Sequence, residues 1–480
     1  MTHRILTCLA AALICVTGFL FAQTKAEKID ALLQKYTEYG QFNGTALVTE
    51  AGQVILKKGY GLANFEWDIP NDPTTKFRLA SITKQFTAML IMQEVEERKI
   101  KLDDPISRFI DYPKPAADRV TVRHLLTHTS GIFNYTDLRD TRNDRTPRTV
   151  DEIIALFSAK PLEFEPGTRM KYSNSGYVLL GAVLEKVTGK PYERLLREKI
   201  LEPLGMKNTG YDHSETILKK RAAGYERPVT LENASFLDMS LPYSAGAMYS
   251  TVEDLGLWDQ ALYTDKLLSP ANRKVYFTPF LNHYAFGWDV RNAPIGSTED
   301  SVLMISHQGG INGFNTIIAR LPEQRHLVVL LNNTGGTRLA EISQAIIGIL
   351  FGKPYDNPHQ PLAGVLGKII DEQGLSAGLA QYPAMKEEKS KFSLSEGELN
   401  RLGYTYLRDG KVKEAIEVFK LNVEAFPKSS NVYDSLGEAY MADGQTELAS
   451  ANYEKSVELN PNNTGGVQAL KKLKAAKSER

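Results

Sequence analysis

Ser81-Ile82-Thr83-Lys84-Gln85-Phe86-Thr87-Ala88-Met89-Leu90-Ile91-Met92 joins a hydroxyl and an amine to an apolar run. On a helix, positions i and i+3 share a face, so Ser81 in the first turn has the Lys84 ammonium within reach of its hydroxyl. Residues 88–92 are apolar nearly all round, which marks a helix buried in a core rather than an amphipathic surface helix. Burial matters chemically. An amine taken out of water loses basicity, and a lysine brought toward neutrality can remove the proton of a serine. A helix N-terminus adds partial positive charge and free N–H groups beside any negative charge developing at Ser81.

Two further clusters lie 91 and 135 residues onward, each counted from the one before. Tyr172-Ser173-Asn174 follows a turn signal at Pro166-Gly167 and precedes a helix-like apolar run at 175–181, so it enters a buried helix from a loop. His307-Gln308-Gly309-Gly310 follows a strand-like stretch at 302–306, and its glycines mark a backbone that approaches something closely. Phe314–Leu321 and residues 326–331 read as further strands around a turn at 322–325, which gives an antiparallel sheet. Each cluster has a bland reading alone: a chance Ser-x-x-Lys, a packing tyrosine, a satisfied surface imidazole. Together they supply a nucleophile with an amine, a phenol able to relay protons, and a glycine strand able to hold a substrate.

The three motifs resemble those of the serine β-lactamase and penicillin-binding-protein superfamily, in the branch of class C β-lactamases, D-aminopeptidases, DD-carboxypeptidases and family VIII esterases. Leu126-Thr127-His128-Thr129-Ser130-Gly131, Glu165-Pro166-Gly167 and Ser244-Ala245-Gly246 followed by Tyr249-Ser250-Thr251 extend the likeness, which is collinear over about residues 26–352. The resemblance implies an α+β fold, an antiparallel sheet flanked by helices plus an all-helical domain. It also implies an acyl-enzyme formed at Ser81, with Lys84 and Tyr172 sharing the proton work. Asn174, His307 and Gly309 would bind the substrate, and the backbone N–H groups of Ser81 and Gly310 would form the oxyanion hole. No metal or organic cofactor is expected. One departure bears on the substrate. Lactamases and many of the peptidases carry lysine in the third motif, facing a substrate carboxylate, whereas His307 is largely uncharged at neutral pH. This favours an ester, D-aminoacyl amide or peptide over a β-lactam.

The C-terminal part repeats with a period of 34: Leu402 with Leu436, Gly403 with Gly437, Tyr406 with Tyr440, Gly410 with Gly444, Ala415 with Ala449, Phe419 with Tyr453, Pro427 with Pro461. That is the tetratricopeptide period, each unit a helix pair whose groove takes a protein or peptide ligand. Clear repeats span about 399–464. Two units need caps: a helical pattern at 362–382 offers a degenerate leading unit, residues 467–476 a polar closing helix. The expected organisation is a signal peptide at 1–22, a hydrolase domain at 23–352, a Pro-rich linker at 353–361 and an α-solenoid at 362–480. Residues 385–391 read as a surface loop.

Lys plus Arg equals Asp plus Glu at 57 each over 480 residues, so no global field attracts nucleic acid. His3-Arg4 and the apolar stretch at 5–21 read as an export signal cleaved after Ala22; the protein would be periplasmic or secreted, touching a membrane only if that segment stays. Cys8 and Cys15 fall inside it, leaving a mature chain without cysteine. Other constellations are weak. Pro242-Tyr243-Ser244-Ala245-Gly246 lacks the first glycine of a nucleophile elbow, and Gly59-Tyr60-Gly61 lacks the third of a dinucleotide loop. His124 and His128 are spaced i, i+4 without a third ligand; His124 is expected at the surface and His128 as a structural helix-end residue. Against the exported hydrolase stands a receptor for peptidoglycan-like ligands, a degraded hydrolase acting through its repeats.

Overall fold

The computed structural model describes residues 23–141, 143–226 and 231–478; the expected signal segment at 1–22 lies outside them. The larger part is an α+β domain around a six-stranded antiparallel sheet. Its strands are β1 (Gly44–Glu50), β2 (Gln53–Tyr60), β3 (Asp289–Pro294), β4 (Ser301–Ile311), β5 (Phe314–Leu321) and β6 (His326–Asn332), in the order β3-β4-β5-β6-β1-β2. The β1–β2 and β5–β6 hairpins thus meet at the β1–β6 seam, with Gly44 opposite Asn332 and Thr49 opposite Leu327. Gly44 is needed at that seam, because a Cβ there would lie 1.9 Å from the Leu331 carbonyl oxygen.

Both faces of the sheet are buried, and the alternation along β1 and β6 sorts their side chains between two cores. Ala46, Val48, Val328 and Leu330 pack beneath the Lys25–Glu38 and Leu339–Phe351 helices. Leu47, Leu327, Val329 and Leu331 face the larger core around the Thr83–Glu96 helix. That helix is buried from Thr83 to Met92, as its all-round apolar character requires. Phe86 stacks on Trp258 at 4.2 Å between centroids, and the Trp258 indole N–H donates to the Gln85 side-chain oxygen at 3.0 Å. The helix is fixed in rotation, and its first turn is therefore aimed.

The C-terminal part is a stack of helices. Glu396–Arg408 pairs with Val412–Ala425 and Ser430–Ala442 with Thr446–Leu459, followed by Thr464–Ser478. Gly403 and Gly437 let the paired helices touch: a Cβ at Gly403 would come 2.5 Å from the Phe419 ring, one at Gly437 3.2 Å from Tyr453. The leading unit is a helix pair, Leu362–Gln373 and Leu375–Glu387, sharing one core with the repeats. Residues 385–387, expected in a surface loop, instead complete the second of these helices, because Met385 is buried in that core. Residues 353–361 are held at both ends. The Pro354 carbonyl accepts from the Ser297 N–H at 3.0 Å, and Gln360–Pro361 pairs in parallel with Phe392–Ser393. Among the described residues no helix is long and apolar enough to cross a membrane.

Gly403→Leu should destabilise the repeats by about 1–3 kcal/mol through overpacking against Phe419. A denaturant melt followed by circular dichroism checks this; an unchanged midpoint would mean the two helices have room to part.

Candidate active site

The chain reaches Ser81 through a strained turn. Leu79 donates its N–H to the Met248 carbonyl at 2.8 Å, Ala80 takes φ +49°, and Ala80–Ile82 forms a 3-10 turn running straight into the Thr83–Glu96 helix. A left-handed φ on alanine is sparsely populated and persists only where surroundings impose it. Here β4 and β5 impose it. A Cβ at Gly309 would lie 2.1 Å from the Leu79 carbonyl oxygen, and the Thr316 hydroxyl donates to that same oxygen at 2.9 Å. Gly309 thus serves the close approach of the sheet to the serine turn.

The Lys84 side chain is fully buried, with its Nζ 3.0 Å from Ser81 Oγ, 2.7 Å from Asn174 Oδ1 and 2.8 Å from the Ala245 carbonyl oxygen. Burial holds its pKa well below that of an ordinary lysine. The neighbours fix the direction of its hydrogen bonds. The Ala245 carbonyl can only accept, and Asn174 presents its oxygen because its Nδ2 donates to Thr136 at 3.1 Å. A neutral amine spends two N–H groups there, and its lone pair is left toward the Ser81 hydroxyl.

Tyr172 closes the group. Lys84 Nζ lies 4.9 Å from its ring centroid, and its buried hydroxyl makes no well-aligned hydrogen bond. Burial pushes the phenol pKa up, opposed by the Ser81 hydroxyl. The tyrosine is clamped from behind by His128. The N–H of Lys171 donates to the His128 carbonyl at 2.9 Å, the N–H of Ser173 donates to His128 Nδ1 at 3.2 Å, and the two rings lie 4.1 Å apart. His128 sits just beyond the Val122–Leu126 helix with φ +58°, fully buried. Burial, then the charges of Lys84 and His307, hold its pKa well below normal.

The structure differs from expectation at two histidines. His307 is buried: its Nε2 is 2.9 Å from the Tyr284 hydroxyl and its Nδ1 2.6 Å from the Gln308 carbonyl oxygen, so both nitrogens have partners inside the protein. Burial first, then the Lys84 charge, lower its pKa to about 4. His124, expected at the surface, is half-buried and caps its helix through the Thr121 N–H at 3.2 Å. Among the described residues no His, Cys, Asp and Glu group could hold a metal. Ser244 is buried and donates to the Tyr177 carbonyl at 2.8 Å, away from any opening.

In front of Ser81 lies an open cleft of about 450 Å³, lined among others by Ser81, Asn174, Gly310, Tyr135, Asn312 and Glu226. Asn174 is held at the start of its helix by the Asn134 side-chain oxygen, which accepts its N–H at 2.9 Å. Asn134, Thr136 and the Ala245 carbonyl were not singled out by sequence; only the Ser244-Ala245-Gly246 phrase marked the last.

A buried amine against a half-buried serine on a cleft wall, with a clamped tyrosine and a groove beside a glycine strand, is the arrangement of a serine acyl-transfer enzyme. The chain belongs to the beta-lactamase family, whose model matches residues 29–348, and a tetratricopeptide repeat matches 430–463. It is 32% identical over 394 residues to a penicillin-binding protein of Bacillus subtilis (strain 168), covering 75% of this chain and 83% of that one. Among solved structures it is similar to an octameric penicillin-binding protein homologue from Pyrococcus abyssi, with 28% identity, TM-score 0.61, and 72% and 81% of the two chains covered. It is also similar to a D-amino acid amidase from Ochrobactrum anthropi SV3, with 26% identity, TM-score 0.60, and 68% and 99% covered.

Because its pKa is lowered from 6.5 to about 4, His307 refuses a proton that the unfolded chain accepts as pH falls past 6.5. Its contribution therefore turns destabilising between those values, by roughly 3 kcal/mol at most. His307→Gln should lose less stability than wild type between pH 7 and 4 in denaturant melts. Equal losses would show that the imidazole titrates normally in the fold.

Proposed function

We propose that this protein is an exported serine hydrolase that forms an acyl-enzyme at Ser81. The observation that carries the reading is the buried Lys84 amine 3.0 Å from the Ser81 hydroxyl, its basicity lowered by burial. Lys84 takes the Ser81 proton as Oγ bonds to the substrate carbonyl carbon, and the carbonyl electron pair moves to the oxygen. Backbone N–H groups of Ser81 and Gly310, both on the cleft wall, receive that oxyanion. As the pair returns and the bond to the leaving group breaks, Tyr172 passes its proton to that group and regains one from Lys84. Water then adds to the acyl carbon, giving one proton to Lys84, and that proton returns to Ser81 Oγ as its bond to the acyl carbon breaks and the acid is released. Asn174 orients the substrate amide from the cleft wall.

The substrate is an ester, a D-aminoacyl amide or a short peptide in preference to a β-lactam. No fixed cation replaces the third-motif lysine, since His307 is neutral and turned inward. The similarity to a D-amino acid amidase supports the amide side of this choice. The repeats bind a protein or peptide partner through their helical groove. Export rests on the apolar segment at 5–21.

Fluorophosphonate should label the purified chain and fail on Ser81→Ala, and Lys84→Ala should slow labelling by roughly 10²–10⁴-fold. Turnover of p-nitrophenyl acetate or D-alanine p-nitroanilide should exceed that of nitrocefin. No labelling of wild type by any carbonyl or phosphonate probe would instead favour a non-catalytic receptor.

A further inference from the structure

The cleft in front of Ser81 adjoins a second cavity. Glu226, Gly335 and Gly336 form part of the cleft wall, and the same three residues line a neighbouring space of about 440 Å³. Tyr36 and Tyr39 line it from the hydrolase side, while Glu398 and Arg401 come from the Glu396–Arg408 helix of the repeats. The shared wall is open at Gly336, where a Cβ would meet nothing within 4 Å, and closed by Glu226 at Gly335, where a Cβ would lie 1.9 Å from its carboxylate. An extended substrate reaching both spaces would pass over Gly336.

The charges in this second cavity are unevenly satisfied. Arg338 and Glu341 pair with each other at 3.2 Å, and Glu226 accepts the Gly313 N–H at 2.7 Å. Glu398 and Arg401 are left over, one turn apart on the same helix. The Glu398 Oε2 is buried and has no hydrogen-bond partner, and burial raises its carboxyl more than the charges of Arg401 and Arg338 lower it. Arg401 is exposed and makes no hydrogen bond or ion pair among the described residues. Buried polar atoms are nearly always paired, so a carboxylate with one orphaned oxygen, near a guanidinium that has no hydrogen bond or ion pair among the described residues, marks a place on this cavity wall for a ligand of both charges.

We propose that this cavity is a distal subsite for an extended peptide substrate, whose far end offers a carboxylate to Arg401 and an amine to Glu398. The inference rests on the acyl-enzyme reading and narrows its substrate class to peptides with a zwitterionic end. It also gives the repeats a direct part in choosing substrate.

Two substrate pairs test this on the full chain, one for each direction in which a substrate can lie. The first is p-nitrophenyl acetate against the p-nitrophenyl ester of succinyl-Gly-Gly-D-lysine. The second is D-alaninamide against D-alanyl-Gly-Gly-D-lysine. At least one extended substrate should gain about tenfold in kcat/KM over its short counterpart. Arg401→Glu and Glu398→Gln should erase that gain and leave the short substrates unchanged; the same peptides ending in norleucine amide should show no gain. Arg401 is exposed, so its variants should melt like wild type, and Arg401→Ala provides a second check. No gain in either pair, a gain that survives Arg401→Glu, or an equal gain with the norleucine amide would overturn the subsite. If wild type turned over neither short substrate and took no fluorophosphonate, the acyl-enzyme reading would fall, and the subsite with it.

Discussion

The geometry of the site turns on one amine kept out of water, with no counter-ion beside it among the described residues. The three polar atoms around Lys84 Nζ are a hydroxyl, an amide oxygen and a backbone carbonyl, none of which carries a charge. A carboxylate in any of those positions would stabilise the ammonium and leave Ser81 without a base. The surroundings are arranged around that exclusion. The buried helix carries the amine inward, the Asn174 helix brings an oxygen to meet it, and the aromatic rings of Tyr172 and Tyr177 flank it at 4.9 and 5.5 Å. Such rings attract an ammonium but do not hold its proton as a carboxylate would.

Position is enforced by groups that take no part in proton transfer. Gly309 lets the sheet press on the Leu79 carbonyl, and that pressure holds Ala80 in a conformation alanine otherwise avoids. His128 works on the opposite side, gripping the backbone on either side of Tyr172. The resulting imidazole and phenol cluster also includes Tyr284 and His307, and burial keeps both histidines neutral. A second ammonium there would compete with Lys84 for the same few acceptors. The third-motif histidine thus adds no ammonium beside Lys84.

Much of this was legible in the chain because the informative patterns are local. The Ser81–Lys84 spacing, the all-round apolar run, the hairpin of Phe314–Leu321 and 326–331, and the 34-residue period each depend on neighbours in sequence. Contacts made across long separations were not legible. Nothing near His307 announces that Tyr284 will take its Nε2 and turn the ring inward. The role of the Ala245 carbonyl depends on a meeting with residue 84. His128 was readable as a helix-end residue, yet its grip on Lys171 and Ser173 arises only when two segments are laid side by side. Residues 385–387 read as polar loop because their one anchor, Met385, acquires its partners from the repeats.

The segment between the two parts has a mechanical consequence. Pro354 is fastened to the turn at Gly296, where even a Cβ would collide with its carbonyl, and Gln360–Pro361 is laced to Phe392–Ser393. The Gln41 side-chain amide grips the His359 carbonyl between them at 3.0 Å. A tether anchored this often transmits force instead of absorbing it. A tug on the helical stack by whatever it binds is delivered to the rim of the hydrolase rather than dissipated in slack chain.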